Sequence, residues 1–184
     1  MTLLERMKYF FIRWIRACFA DDRTAHLQNR QGDGRLTLEK DVHFIMKLNH
    51  ETERMMAERF GKDSMIALAT VDDGLPCVRA VNACYEDGAF YVITHALSNK
   101  MRQLARNPAA AIAGEWFTAR GTGVSLGYIE REENRRIADR LKEAFASWLG
   151  SGHVDLEDEN TVLLCIRLES GTLFSNGTRY DIEF

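Results

Sequence analysis

No Cys-x-x-Cys pair occurs among the four cysteines, Cys18, Cys77, Cys84 and Cys165, and each sits in a stretch that reads as helix or strand. That leaves neither a zinc knuckle nor a disulfide framework, so a reducing cytoplasm is the expectation. The five histidines are scattered. His43 and His50 share one helical face but lack a carboxylate or third ligand at metal spacing, and none follows a nucleophile elbow, so neither a metal nor a protein-borne nucleophile is expected. Excess charge of one sign is absent too: a net charge of -3 gives no electrostatic case for a nucleic-acid partner. Arg6, Lys8, Arg13 and Arg16 interrupt every apolar run near the N-terminus, which excludes a signal-peptide core or a spanning helix there. Gly121-Thr122-Gly123 with Gly127 lacks the third glycine of a dinucleotide fingerprint, because Leu126 stands in its place. These glycines read instead as bulges or sites of close backbone approach. Asp155, Glu157, Asp158 and Glu159 lack the central glycine of a calcium loop and read as a solvated loop. Internal repeats and low-complexity tracts are missing.

What is present is an ordinary globular composition, 46% hydrophobic and 28% charged, over 184 residues. A chain of that size buries about two thirds of its unfolded surface in one domain plus an extension. From Thr2 to Ala20 a helical period puts Leu3, Met7, Phe10, Phe11, Trp14, Ile15 and Cys18 on one face. That face is expected to pack on protein, with membrane-surface contact as the alternative. Asp21 to Arg35, with Gly32-Asp33-Gly34, reads as a linker. A second helical stretch runs from Thr37 through Val42, Ile45 and Leu48, and a third starts at Asn49 as N-cap and stops at Gly61. The division predicted is a helical extension over 1–48 and one domain over 49–184.

In that domain, Ser64 to Val71, Pro76 to Tyr85 and Ala89 to Thr94 form a three-strand meander around Asp72-Asp73-Gly74 and Glu86-Asp87-Gly88. A short helix spans Ser98 to Asn107. Strands are expected over Ala109 to Ala119 and Gly121 to Glu130, then an amphipathic helix from Arg131 to Leu149. Thr161 to Leu168 reads as a buried strand, followed by turns at Gly171 and Asn176-Gly177 and a last strand. The pattern suggests a mainly β, α+β chain: an antiparallel barrel with helices around it. Within it, Arg79 in a strand, Thr94 at a strand end, and Ser98-Asn99-Lys100 opening a helix place a guanidinium, two hydroxyls, an ammonium and helix N–H groups where they could converge on a phosphate.

Four pieces in fixed order carry a family resemblance: Ala67 to Pro76 (Ala-Leu-Ala-Thr-Val-Asp-Asp-Gly-Leu-Pro), Arg79-Ala80-Val81, Tyr85 to Thr94, and Ser98 to Leu104 leading to Asn107-Pro108. From about Asn49 onward the sequence resembles the pyridoxamine 5'-phosphate oxidase-like flavoproteins of the FMN-binding split-barrel fold. The resemblance implies an antiparallel split β-barrel with FMN as cofactor. It implies that Arg79 and Lys100 hold the FMN phosphate at the helix start around Asn99, with Ser98 and Thr94 as hydroxyl partners. Ala80, Val81, Asn82 and Ile93 would flank the isoalloxazine. Family members are homodimers with flavins between subunits, so Glu115 and Trp116 would lie where the partner chain reaches the ring. The oxidases proper close on a tryptophan-and-arginine segment that grips the pyridoxal substrate. This chain closes instead on Leu173 to Phe184, which leaves the substrate open. The expected function is therefore a flavin oxidoreductase acting on an unknown small molecule; the alternatives are a non-catalytic flavin- or haem-binding module and a nitroimidazole-reductase-like detoxifying enzyme.

Overall fold

The computed structural model of the protein describes residues 45–152 and 154–184. The helix expected over Thr2 to Ala20, the linker after it, Cys18 and His43 lie outside the described residues.

The elements in chain order are β1 (Ile45–Lys47), α1 (His50–Phe60), β2 (Ser64–Asp72), β3 (Leu75–Glu86), β4 (Ala89–His95), α2 (Asn99–Arg106), β5 (Ala109–Gly114), β6 (Phe117–Tyr128), α3 (Arg135–Ala144), α4 (Ala146–Leu149), β7 (Thr161–Ser175) and β8 (Thr178–Glu183). Strand order β7-β4-β3-β2-β5-β6, closed by β6 pairing back to β7, makes a six-stranded antiparallel barrel, and β8 and β1 extend the sheet beyond β7. Closure leaves few strand edges unpaired. Among the described residues no helix is long and apolar enough to cross a membrane.

Local chemistry sets the boundaries. Asn49 caps α1: its Oδ1 accepts from the N–H groups of Glu51 and Thr52 at 3.0 Å, and Thr52 Oγ1 accepts from Asn49 N–H at 3.1 Å. Three hairpins turn on Asp73-Gly74, Asp87-Gly88 and Asn176-Gly177, each pair with both φ angles positive, the twist that matches two-residue hairpins. Tyr85 then ties α1 to one of them, donating to Glu53 Oε2 at 2.6 Å and accepting from Gly88 N–H at 3.0 Å.

The barrel interior is filled by Phe60, Ile66, Leu68, Tyr85, Phe90, Val92, Phe117, Leu164 and Ile166, all buried. Phe90 lies edge-on to Phe60 and Tyr85, with ring centroids 5.5 and 5.4 Å away. Each such side chain contributes about 1.5–3 kcal/mol by leaving water. A second cluster, Cys84, Ile129, Ile137, Leu141, Phe145 and Leu163, joins α3 to the outside of the barrel.

Several expected boundaries are corrected. Ile45 lies in a strand, not a helix: Ile45–Lys47 pairs in parallel with Asp181 to Glu183 of β8, so part of the expected 1–48 extension joins the sheet. The β5–β6 turn falls at Glu115-Trp116, and Gly121 is mid-strand. A Cβ on Gly121 would sit 1.9 Å from the Arg167 carbonyl, and the β6–β7 register shifts beside it, so this glycine is a bulge in a curving ladder. Gly171 is likewise inside β7, which continues to Ser175. The helix expected over Arg131 to Leu149 opens as a 3-10 turn at Glu132–Asn134 and breaks at Phe145.

Candidate functional site

The barrel opens between β3 and β4. β3 pairs with β2 from Leu75 through Ala83, and β4 pairs with β7 along its whole length, but β3 and β4 pair with each other only at Cys84↔Tyr91, Tyr85↔Phe90 and Glu86↔Ala89. Beyond those pairs the facing edges diverge, which leaves main-chain donors and acceptors along the split without ladder partners.

Alternation decides which side chains enter it. Val81, Ala83 and Tyr85 belong to the barrel core, so Arg79 shares their inward side, whereas Ala80 and Asn82 face outward. On β4, Phe90 and Val92 point inward and set the side of Thr94, while Tyr91 and Ile93 pack on the second cluster. The chain then turns into α2. Met101 and Leu104 seat this helix on the barrel, and Gly123 of β6 makes room for it, since a Cβ there would lie 2.8 Å from Leu104 Cδ1.

At the start of α2, Ser98 holds the N-cap position but makes no capping bond, and its Oγ is buried with no hydrogen-bond partner among the described residues. The first-turn N–H groups of a helix also lack intrahelical acceptors. Lys100 is half-buried, and its pKa is pulled below 10.5 first by burial and then by the charge of Arg79. Arg79 Nη1 donates to Thr70 Oγ1 at 2.6 Å and to the Leu68 carbonyl at 3.3 Å, and its Nη2 donates to Gln103 Oε1 at 2.8 Å. A half-buried ammonium disfavoured by burial and by the neighbouring Arg79 charge, an orphaned buried hydroxyl and a helix N-terminus fit a phosphate dianion, which would satisfy all of them.

The expected residues are not all gathered here. The charge of Arg79 acts on Lys100, Ser98 precedes Lys100 by two positions at the start of α2, and Thr94 is on the inward side of β4. Asn82, on the outward side of β3, donates to Asp63 Oδ1 at 2.8 Å rather than joining the two cations, and Asn99 is exposed and accepts from Arg102. Glu115 and Trp116 stand at the tip of the β5–β6 hairpin, two strands across the sheet from β3, and do not join the cluster. Arg59 braces that tip through the carbonyls of Glu115, at 3.2 Å, and Phe174, at 3.0 Å, with Trp116 at a φ of 56°. Sequence reasoning missed Thr70 and Gln103, both buried. Their signal was a polar residue in each buried period: Thr70 after Ile66 and Leu68, Gln103 between Met101 and Leu104.

A shallow groove of about 690 Å³ lies on β5 to β8, lined by Ala111, Thr118, Arg120, Ser170, Thr172 and Asp181 among others, and none of the candidate residues borders it.

A sequence model described as pyridoxamine 5'-phosphate oxidase matches residues 52–174. A pyridoxine/pyridoxamine 5'-phosphate oxidase of Rhodopseudomonas palustris (strain BisB18) is 47% identical over 99 residues, covering 50% of this chain and 46% of the relative. The chain spans about half the length of the curated relatives it matches. Among solved structures, a putative pyridoxamine 5'-phosphate oxidase from Listeria innocua superimposes with a TM-score of 0.52 at 15% identity, covering 70% of this chain and 98% of that one. A heme binding protein from Mycobacterium smegmatis gives 0.55 at 18% identity, over 72% of this chain and 57% of that one. These two likenesses show the shared split-barrel fold. With the family match running from α1 into β7, across both sides of the split, the chain belongs to the pyridoxamine 5'-phosphate oxidase family.

Proposed function

We propose that the split between β3 and β4 binds FMN and that the protein is a flavin oxidoreductase acting on a small molecule. The observation that carries this reading is the pairing of Arg79 and Lys100 beside the unpartnered buried Ser98 Oγ at the start of α2. Arg79, Lys100, Ser98 and Thr94 would hold the phosphate. Asn82 and Ile93 would flank the ring on either side of the split, with unpaired main-chain groups available to its polar edge. Bound flavin would supply two-electron chemistry, and the protein's part is to bind, orient and shield it. Relatives described as pyridoxine/pyridoxamine 5'-phosphate oxidases support the reading at the level of reaction class.

The protein is further proposed to act as a homodimer through the outer face of β2, β3 and β5. The outward positions there are Met65, Ala67, Ala69, Val78, Ala80, Ala111 and Ala113, none of them charged. Met65 and Val78 are 70% and 67% exposed, a surface that calls for a partner.

The test is the absorbance spectrum of the purified protein, followed by titration with FMN and riboflavin. Flavin bands and a clear preference for FMN are expected. Haem absorbance without flavin would replace this reading with that of a haem-binding module, and an equal affinity for both flavins would remove the phosphate site.

A further inference from the structure

One edge of the Arg79 guanidinium is already taken by the protein. Nη1 meets Thr70 Oγ1 at 2.6 Å and Nη2 meets Gln103 Oε1 at 2.8 Å, while the Thr70 hydroxyl donates to that same Gln103 oxygen at 2.6 Å. Thr70 thus accepts from Arg79 and passes its own proton on, and Gln103 Oε1 accepts twice. The other end of the Gln103 amide is fixed as well. Its Nε2 donates to Asp72 Oδ2 at 3.2 Å, and Asp72 Oδ1 accepts from Arg106 at 3.4 Å. Because an ionised carboxylate can only accept, Asp72 decides that the amide nitrogen points toward it and the oxygen toward Arg79. Thr70 is 2% and Gln103 6% exposed, so water does not compete for these bonds.

A guanidinium offers five N–H donors in a rigid planar fork. With the Nη1–Nη2 edge engaged, the Nε–H makes no hydrogen bond among the described residues. We propose that Thr70 and Gln103 are positioning residues for an anion site. They fix the plane of Arg79 so that its Nε edge faces the ligand phosphate beside Lys100, and Asp72 sets the amide that makes this possible. The inference rests on the FMN reading above and extends it: the phosphate affinity depends on two side chains that never touch the phosphate.

The experiment compares FMN and riboflavin affinities of the purified protein by fluorescence titration in the wild type, Arg79→Ala, Thr70→Val, Thr70→Ser, Gln103→Leu and the double variant Arg79→Ala/Thr70→Val. Thr70→Val and Gln103→Leu are expected to weaken FMN roughly tenfold, the loss of about one hydrogen bond's worth of orientation, and to leave riboflavin unchanged. Thr70→Ser, which keeps the hydroxyl, should restore wild-type FMN binding. In the Arg79→Ala background Thr70→Val should cost nothing further, because its effect runs through Arg79. If Gln103→Leu does not fold, Gln103→Met, close in length and without an amide oxygen for Arg79, takes its place and should show the same FMN-selective loss. Equal losses for FMN and riboflavin, or additive losses in the double variant, would overturn the positioning role while Arg79→Ala still upheld the phosphate site. A wild type that does not distinguish the two flavins would overturn both.

Discussion

Asn82 on β3 and Trp148 on α4 share one carboxylate: Asp63 accepts from the Asn82 amide at Oδ1 and from the Trp148 indole at Oδ2, each at 2.8 Å. The bridge joins the strand that borders the split to the helix that covers the second cluster, where Phe145 and Trp148 stack at 5.1 Å. Asp63→Ala removes both bonds and leaves two donors to find water. It should lower stability by about 2 kcal/mol, discounted for partial exposure, and thermal unfolding reads this directly. Because Asn82 is proposed to flank the ring rather than the phosphate, FMN and riboflavin should weaken together in this variant. A loss confined to FMN would place Asn82 on the phosphate instead.

Removing either cation of the proposed phosphate site should have the opposite signature. Arg79→Ala or Lys100→Ala deletes a charge-assisted hydrogen bond worth about 1.5–3 kcal/mol, which weakens FMN roughly 10- to 150-fold. Riboflavin has no phosphate and should scarcely respond. Ser98→Ala should cost less, since a neutral hydroxyl contributes about 1 kcal/mol. Calorimetric titration of the three variants gives the order, and an equal response of both ligands would remove Arg79 and Lys100 from the site.

The Lys100 ammonium makes the affinity depend on pH. In the ligand-free fold its pKa lies below 10.5, by burial first and Arg79 second. Between that lowered value and 10.5 the unfolded chain carries more protons on this residue, so this group makes folding more favourable as pH rises through the window. Phosphate reverses the preference by stabilising the ammonium. FMN binding should therefore take up protons in this window and weaken as pH climbs through it, while riboflavin affinity stays flat. Lys100→Arg, which stays charged, should flatten the FMN curve. An FMN affinity that rises with pH across the alkaline range would contradict this coupling.

Much of this arrangement is legible in the sequence because the turn chemistry is strict. Asp73-Gly74, Asp87-Gly88 and Asn176-Gly177 each announce a hairpin, and Asn49 and Gly61 bracket α1. Gly121 is the bulge and close approach its glycine suggests, against the Arg167 carbonyl, whereas Gly171 misleads, because glycine marks both turns and places where two backbones meet, and only the facing carbonyl of Thr118 tells these apart. Ile45 misleads for a different reason: a three-residue parallel pairing with β8 depends on a strand more than a hundred positions away, which no local period can show. At the site, the charges of Arg79 and Lys100 stand out in the sequence. The Thr70–Gln103–Asp72 chain does not, since a buried amide looks unfavourable until its partners are known.

The last prediction concerns the uncharged face of β2, β3 and β5. Cross-strand register aligns Val78, Ala69 and Ala111 in one row and Ala80, Ala67 and Ala113 in the next, so small side chains form a flat surface with Val78 and Met65 standing proud of it. A stable dimer of this kind buries on the order of 2,000 Å² or more, and a face without charge should associate independently of salt. Val78→Glu points a carboxylate outward at a position that is 67% exposed, so it costs the isolated barrel little, yet in a dimer it would bury an unpaired charge. The wild type is expected to sediment as a dimer in both low and high salt, and Val78→Glu as a folded monomer. If the flavin site draws on the partner chain near Trp116, the monomer should also lose FMN without any change at Arg79 or Lys100. A wild type that sediments as a monomer with FMN bound, or a Val78→Glu variant that remains dimeric, would show that this face is not the one the two copies share.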